Sequence, residues 1–195
     1  VQGVAARLFR ISFSGEEGYE LAVPTRYGEA LFRDLTARAE TMGGGLYGME
    51  ALNVLRIEKG FITHSEIDGR TTPDDVGLGK MFSTQKADFI GKRLSSRFGL
   101  TAADRPQLVG LKPVDRDKCF AAGAHLLKEN VKPSTLNDQG WVSSVCHSPT
   151  LGHTIGLAFL KSGRERLSEK VLVWDGSGLW VCTKKLGRGR YAWPT

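Results

Sequence analysis

Short strand-like runs fill the second half of the chain, and they constrain its fold more than any other feature. Apolar, β-branched and aromatic residues cluster in runs of four to seven residues that turn-forming residues separate. The runs are residues 108–111, 141–146, 154–160, 170–174 and 179–183. The sequence DGSG at residues 175–178 predicts a hairpin between the last two. Several short strands joined by turns are typical of a small antiparallel barrel or sandwich.

The first half of the chain carries two helical patterns. Apolar residues recur at helical spacing from Tyr27 to Met42, and the glycine run 43–45 ends the pattern. Residues 48–59 repeat it, with Gly60 in position for a left-handed C-terminal cap. The sequence therefore predicts two amphipathic helices, the first of which covers a sheet.

Two alternating runs, residues 9–13 and 19–23, predict a pair of strands joined by the loop 14–18. One register keeps their apolar side chains on a single face. Its opposed pairs are Phe13 with Tyr19, Ile11 with Leu21, and Phe9 with Val23. This register places Glu20 opposite Ser12 and diagonal to Arg10.

A polar stretch, TAADRPQ at residues 101–107, separates the two kinds of pattern. Before it, Thr72 is followed by a proline and two aspartates, which predicts the start of a short helix. We predict an α+β fold in which residues 1–104 form part of a larger body. Residues 105–195 are predicted to form a small antiparallel β-barrel.

The charge and the cysteine content of the chain limit the classes of protein that fit the sequence. A net charge of +6 and a pI near 9.3 favour an anionic partner, but the basic residues are dispersed and disfavour a nucleic-acid groove. Three distant cysteines argue against a disulfide framework, and we expect a cytoplasmic protein without a membrane span. The chain begins with Val1, which suggests a piece of a longer polypeptide or a processed product.

Two other candidate sites have simpler explanations. Residues 43–48, GGGLYG, match a dinucleotide fingerprint in letters, but a helix precedes them where the fingerprint needs a strand. Cys146, His147 and His153 have loose spacing for a metal site, and structural roles are the better interpretation. No metal is therefore predicted.

Three glutamates lie at the corner SFSGEEGYELAVP. Glu16 and Glu17 fall in the loop, where a solvated surface role is the default. Glu20 is on a strand, so its carboxylate has a fixed direction. It could form an ion pair with Arg10, or accept two parallel N–H bonds from a planar donor array such as an aminopyrimidine ring.

Several ordered motifs resemble one family. SGEEGYELAVP resembles the T-G-E-x-G-x-E-x-x-V-P signature of the glycine-cleavage aminomethyltransferase (T-protein) family. VLRIEKG, DGRTTPDDVGLGK and DFIGK then resemble its L-R-x-E-x-G, T-T-P and G-L-G stretches, and HSPTLGHTIGLAFL resembles a segment of its C-terminal barrel. Within the family, EALNVLRIEKG and SPTLGHTIGLAFLKSGRERLSE are most similar to the C-terminal part of the alpha subunits of heterotetrameric sarcosine oxidases.

The resemblance implies a tetrahydrofolate-binding module that captures the one-carbon unit released when an N-methyl amine is oxidised. By the same resemblance, Glu20 matches the family's pterin-binding carboxylate, Tyr191 matches a ligand-contacting tyrosine, and other oxidase subunits are the partners. Arg56 and Glu58 match L-R-x-E-x-G and are interpreted as structural. Leu52 stands where glycine-cleavage members have an arginine, and the family's catalytic acid lies upstream of the matched motifs.

Two alternatives remain open from the sequence. The chain could be a scaffold that holds oxidase subunits together without binding a ligand. It could also be a folate-binding protein linked to tRNA modification, although KMFSTQKADFIGK differs from the K-G-C-[FY]-x-G-Q-E motif of that branch. Lys118-Cys119-Phe120 is a displaced and incomplete match to that motif.

Overall fold

A computed structural model describes residues 3–83, 85–128, 138–166, 168–174 and 179–184 of the chain. The chain divides into two compact units, Val1–Arg56 and Ile57–Thr195. Each unit is described separately below. The boundary predicted between residues 104 and 105 stays a prediction.

The first unit opens with two short antiparallel strands, β1 (Arg7–Phe9) and β2 (Glu20–Ala22). Their opposed pairs are Arg7 with Ala22, Leu8 with Leu21, and Phe9 with Glu20. The two predicted strands are therefore shorter than expected, and the predicted register is wrong by three residues. An odd shift exchanges the two faces of a strand pair, because side chains alternate with a period of two.

A closed loop at Ser12 explains the shift. The Ser12 hydroxyl accepts a hydrogen bond from the backbone N–H of Gly15 at 3.0 Å, and Gly15 has a left-handed φ of +83°. A Cβ at Gly18 would lie 3.1 Å from the carbonyl oxygen of Ile11, so the two backbones approach closely there. Part of the alternating run therefore lies in a turn that the hydroxyl of Ser12 closes with a hydrogen bond. Such a turn competes with strand pairing for the same residues.

Both predicted helices are confirmed. A 3₁₀ turn (Thr25–Tyr27) leads into α1 (Gly28–Thr41), and α2 spans Met49–Lys59. After α1, Gly43 has a φ of +79°, and the N–H of Gly44 donates to the carbonyl of Ala39 at 2.8 Å. After α2, Gly60 has a φ of +73°. Both ends follow the left-handed glycine cap.

Large apolar side chains cover the surface of the first unit. None of the residues from 3 to 55 is buried. This includes the apolar residues of α1, a helix that also carries the ion pairs Glu29–Arg33 and Asp34–Arg38. The exposed side chains are Leu8, Phe9, Ile11, Phe13, Tyr19, Phe32, Leu35, Met42, Leu46, Tyr47 and Met49.

The second unit contains a closed barrel of antiparallel strands. The described strands are β3 (Pro106–Pro113), β4 (His125–Leu127), β5 (Asp138–Ser148), β6 (His153–Lys161), β7 (Lys170–Trp174) and β8 (Leu179–Lys184). They follow the order β3-β6-β5-β4-β7-β8 around the barrel. The five predicted strands are confirmed, and β4 was missed because it has three residues.

The strands β7 and β8 pair as the predicted hairpin requires, with Trp174 opposite Leu179. The turn predicted at residues 175–178 lies outside the described residues. The barrel core consists of buried apolar side chains from every described strand. They include Val109, Leu111, Leu126, Val142, Ala158, Leu160, Val171, Val173 and Cys182. These residues alternate along their strands, as the pleat requires.

The helix predicted from Thr72 does not form. The N–H of Thr72 donates to the Asp75 carboxylate at 2.8 Å, and the N–H of Asp75 donates to the Thr72 hydroxyl at 3.3 Å. This reciprocal pattern is a capping box, but the backbone then turns at Gly77, whose φ is +81°. Two one-turn helices, α3 (Lys92–Ser95) and α4 (Phe98–Thr101), follow before the barrel.

Candidate functional site

Glu20 is the first residue of β2, and its side chain is exposed. Within the described part of the chain, this carboxylate forms neither an ion pair nor a hydrogen bond. Glu20 lies opposite Phe9, so the two side chains share one face of the strand pair, whereas Leu8 and Leu21 share the other. The acceptor oxygens of Glu20 are therefore free, beside an exposed aromatic ring.

The ion pair considered between Glu20 and Arg10 does not form. Arg10 instead approaches Glu17, with Nη2 at 3.5 Å from Oε1. The hydroxyl of Tyr19 donates to the same oxygen at 2.7 Å, and this hydrogen bond raises the pKa of Tyr19 above its usual value. Of these corner residues, Glu17 binds its own neighbours, whereas the Glu20 carboxylate contacts none of the described residues through a hydrogen bond or an ion pair.

The L-R-x-E-x-G motif lies on α2 and has structural contacts. Arg56 is buried, and its Nε donates to Oδ1 of Asn53 at 2.8 Å. Glu58 accepts hydrogen bonds from the hydroxyls of Ser148, at a short distance of 2.5 Å, and of Thr150, at 3.2 Å. The carboxylate thus joins the end of α2 to the turn between β5 and β6. Leu52, on the same helix, is half-buried and offers no charge.

Of the other residues considered from the sequence, those that the structure describes are not brought together into a site. Tyr191 lies outside the described residues. Among the described residues, no group of three ligand-type side chains could hold a metal ion. Cys146 and His153 are buried while His147 is exposed, and Nδ1 of His153 lies 2.8 Å from the carbonyl of Thr154. The glycine run at residues 43–45 ends α1, as expected.

Sequence reasoning missed a buried carboxylate in the second unit. Glu66 is 1% exposed, and its oxygens accept hydrogen bonds from Ser143 at 2.8 Å, Ser144 at 2.5 Å and the N–H of Thr63 at 2.9 Å. Both serines lie at the bulge of β5. More than seventy residues separate them from Glu66, so no local pattern could have indicated the contact.

The described helices include none with the length and apolar character needed to cross a membrane. This finding concerns helices alone. Three cysteines, Cys119, Cys146 and Cys182, have free thiols.

Comparison with known proteins identifies similar chains over most of the sequence. The protein is 52% identical over 169 residues to sarcosine oxidase subunit alpha from Rhizobium meliloti (strain 1021), covering 87% of this chain and 17% of that protein. It is 42% identical to the same subunit from Corynebacterium sp. (strain P-1), covering 86% and 18% respectively. An aminomethyltransferase from Streptomyces coelicolor is 32% identical, with 82% of this chain and 42% of that protein covered.

A crystal structure of the glycine cleavage system aminomethyltransferase T from Bartonella henselae has a similar fold. Its TM-score is 0.80 at 23% identity, and the match covers 93% of this chain and 48% of that one. The chain thus spans less than half of these aminomethyltransferases and under a fifth of the oxidase subunits. The predicted α+β fold class with a C-terminal barrel is confirmed.

Two family models match successive parts of the sequence. The model described as the GCVT N-terminal domain matches residues 1–86, and the model described as the glycine cleavage T-protein C-terminal barrel domain matches residues 107–179. Together with the ordered motifs and the shared fold, these matches establish that the chain belongs to the glycine cleavage T-protein (aminomethyltransferase) family.

Proposed function

We propose that the chain is the tetrahydrofolate-binding, aminomethyltransferase-like part of a sarcosine oxidase alpha subunit. In that role it captures the one-carbon unit released by oxidative demethylation of an N-methyl amine. The names of the similar oxidase subunits and aminomethyltransferases support this function. The observation that carries it in this chain is the free carboxylate of Glu20.

Glu20 has the chemistry needed to hold a pterin ring. An ionised carboxylate has two acceptor oxygens, and a pterin presents an amino group and a ring N–H side by side, so two parallel charge-assisted hydrogen bonds can form. Glu20 meets this requirement because Arg10 is directed to Glu17. A flat ring held at Glu20 would also lie beside the exposed side chain of Phe9, on the same strand face.

The contribution of Glu20 to the reaction is positioning. Tetrahydrofolate, when bound, supplies the nitrogen atoms that receive the one-carbon unit. A bidentate contact fixes both the distance and the rotation of the ring, and correct orientation alone accelerates a reaction by many orders of magnitude. Glu20 transfers no proton in this scheme. We assign Tyr191 as a second ligand contact by its resemblance to a ligand-contacting tyrosine of the family.

Other subunits of an oxidase are the proposed partners in a hetero-oligomer. Proteins similar to this chain are named as oxidase subunits, which supports an assembled enzyme. The three free thiols support a reducing, cytoplasmic location for it.

The test is calorimetric titration with tetrahydrofolate of the natural full-length polypeptide that carries this chain. Glu20→Gln keeps the shape but replaces one acceptor oxygen with a donor, and we expect binding to weaken by about 10- to 100-fold. Glu17→Gln is the matched control, because it removes a second charge from the same corner. We expect it to leave affinity within about twofold. Equal affinity of the Glu20→Gln variant and the unmodified protein would refute the role of Glu20.

A scaffold without a ligand of its own is the second candidate function. Leu52 favours it, since this position lacks the charge that glycine-cleavage members place there. The exposed apolar surface of the first unit also favours a role in assembly. Titration of the full-length protein separates the two candidates. Saturable binding of tetrahydrofolate supports the first, and assembly with oxidase subunits in the absence of any folate binding supports the second.

A further inference from the structure

The described residues of the first unit, Val1–Arg56, form no hydrophobic core. None of the residues from 3 to 55 is buried, whereas every described strand of the barrel contributes a buried apolar side chain to one core. Burial of apolar surface is the main favourable contribution to folding, and a unit of about 50 residues has little surface to bury. The first unit therefore needs apolar cover from outside itself.

The helix α1 shows where this cover belongs. At about 100° per residue, five of its residues form one apolar stripe. The stripe consists of Leu31, Phe32, Leu35, Ala39 and Met42. Phe32 is 55% exposed, Leu35 47% and Met42 80%, while the ion pair Glu29–Arg33 lies on the other side of the helix. The stripe is therefore a packing surface that the described residues leave open.

The strand pair β1–β2 needs cover as well. In the described part of the chain these strands pair with each other alone, so each keeps one edge of open backbone groups. Leu8, which is 64% exposed, lies opposite Leu21 on one face, and Phe9 and Glu20 lie on the other face. Because an isolated pair of strands is marginal in water, its stability requires a further strand or a packed layer.

The relatives show how much polypeptide is available for this cover. The matched region is 48% of the aminomethyltransferase T from Bartonella henselae and 42% of the aminomethyltransferase from Streptomyces coelicolor. More than half of each relative is therefore unmatched. The matched region ends in the barrel that the family model describes as C-terminal. The unmatched part of these relatives therefore precedes the matched region.

We propose that the apolar surface of the first unit, formed by the stripe of α1 together with Leu8 and Leu21, is covered by a segment that precedes Val1 in the natural full-length polypeptide. Apolar side chains of that segment pack on this surface, and one of its strands pairs with an open edge of β1 or β2. The first unit is then one half of a folded body whose core lies between the halves. The face with Phe9 and Glu20 stays outside that core.

A preceding segment fits this surface better than a separate partner does. The open apolar side chains belong both to the strand pair and to α1, as in a body divided through its core. A segment of the same polypeptide has a high effective concentration, so it can complete the core without a bimolecular step. The inference goes beyond the proposed function and does not depend on folate binding. It assigns to one polypeptide a surface that the scaffold alternative assigns to another subunit.

Photo-cross-linking identifies what covers the stripe. The photoreactive residue p-benzoyl-phenylalanine replaces Phe32 in the natural full-length polypeptide, which is purified with any subunits bound to it. In the control it replaces Arg33, the next residue, on the polar side of α1. We expect cross-links from position 32 to peptides that precede Val1, within one polypeptide, at a yield at least about tenfold above that from position 33. A denaturing gel and peptide mass spectrometry identify the products.

Thiol labelling measures the same cover with a smaller change. Iodoacetamide should modify Leu35→Cys at least about 100-fold more slowly than Arg33→Cys in the folded protein. The two rates should be equal in guanidinium, where the cover is lost. Peptide mass spectrometry separates these sites from the natural cysteines of the chain.

Four results would overturn the inference. A cross-linked band with peptides of another subunit would assign the surface to a partner, and a band of two copies would assign it to self-association. Cross-links confined to residues 1–195 would mean that the chain covers the surface itself. Rapid labelling of Leu35→Cys in the folded protein would mean that the surface is open to solvent. None of these readouts uses tetrahydrofolate, so failure here and failure of the role of Glu20 are distinguishable.

Discussion

The guanidinium of Arg105 binds the carboxylate of Asp75 through two hydrogen bonds, thirty residues apart in the chain. Nε lies 2.9 Å from Oδ1, and Nη2 contacts Oδ2 as well as the carbonyl of Arg70 at 2.7 Å. Nη1 donates to the carbonyl of Gly99 at 3.0 Å. One side chain therefore holds three positions of the segment between α2 and β3, at Arg70, Asp75 and Gly99. Because both side chains are largely buried, this ion pair is a main determinant of the conformation of the segment that precedes the barrel.

Asp75→Ala should lower the free energy of unfolding by about 3 to 5 kcal/mol, because it leaves the charge of Arg105 buried and unpaired. Burial favours a higher pKa for Asp75, but the hydrogen bonds from Arg105 and Thr72 outweigh it and lower the pKa below its usual value. A lowered pKa means that the stabilisation is present above the ordinary value near 3.8 and disappears as the pH falls through the folded-state value. Urea unfolding between about pH 7 and pH 2 measures this dependence.

Asp74→Asn is the control for that experiment, since Asp74 is the exposed neighbour of Asp75. We expect its effect to stay within about 0.5 kcal/mol. The assigned role of the pair would be wrong if, below about pH 4, the free energy of unfolding of Asp75→Ala fell by as much as that of the unmodified protein.

Glu66 is predicted to lock the loop after α2 to the bulge of β5. Glu66→Gln should cost about 2 kcal/mol, because the amide retains the shape but exchanges an acceptor for a donor that faces hydroxyl and N–H groups. Ser144→Ala should cost about 1 kcal/mol, and the double variant should cost less than the sum of the two. The measurement is denaturant unfolding, and Glu165→Gln at an exposed site is the control. Additive effects would show that the two groups act independently.

Gly140 in β5 should tolerate no side chain. Its φ is +147°, and a Cβ there would lie 1.9 Å from the carbonyl oxygen of Phe159 on β6. Gly140→Ala must therefore separate two paired strands, and we expect a loss of at least about 3 kcal/mol. Gly99→Ala provides the comparison, since nothing lies within 4 Å of its Cβ position, and it should leave the melting temperature unchanged or slightly raised. Equal melting temperatures for the two variants would contradict the packing of β5 on β6.

The cysteines should differ in reactivity. Burial raises the pKa of Cys182 to about 12, so roughly one thiol in ten thousand is ionised at pH 8, whereas Cys119 is exposed. Iodoacetamide followed by peptide mass spectrometry should label Cys119 first and label Cys182 after unfolding in guanidinium. Cys119→Ser should abolish the rapid phase. Rapid labelling of Cys182 in the folded protein would exclude its place in the barrel core.

Local patterns were sufficient for the helices and most of the barrel strands. The apolar spacing of α1 and α2 and the glycines that follow them depend on interactions within a few residues, so their ends could be predicted. The alternation of β5 reflects one face in the barrel core and one face outside it, whereas β6 is buried on both faces except at its last residue and is mostly an apolar run; both patterns are legible along the chain. The motif that contains Glu20 likewise indicated the family before any fold was known.

The contacts between residues that are distant in the sequence, and the register of the first strand pair, were determined by the tertiary structure. The pattern of residues 9–23 favoured one register, but the turn at Ser12 and Gly15 removed part of the run from pairing and placed Glu20 opposite Phe9. Thr72 and Asp75 form a reciprocal capping box where a helix start was predicted, yet the Asp75 carboxylate also binds Arg105 and no helix follows. By itself, the sequence determined the periodicities, the caps and the family. The contacts of Asp75, Glu66 and Arg10 depend on packing between residues far apart or around a turn, and no one-dimensional spacing encodes that geometry.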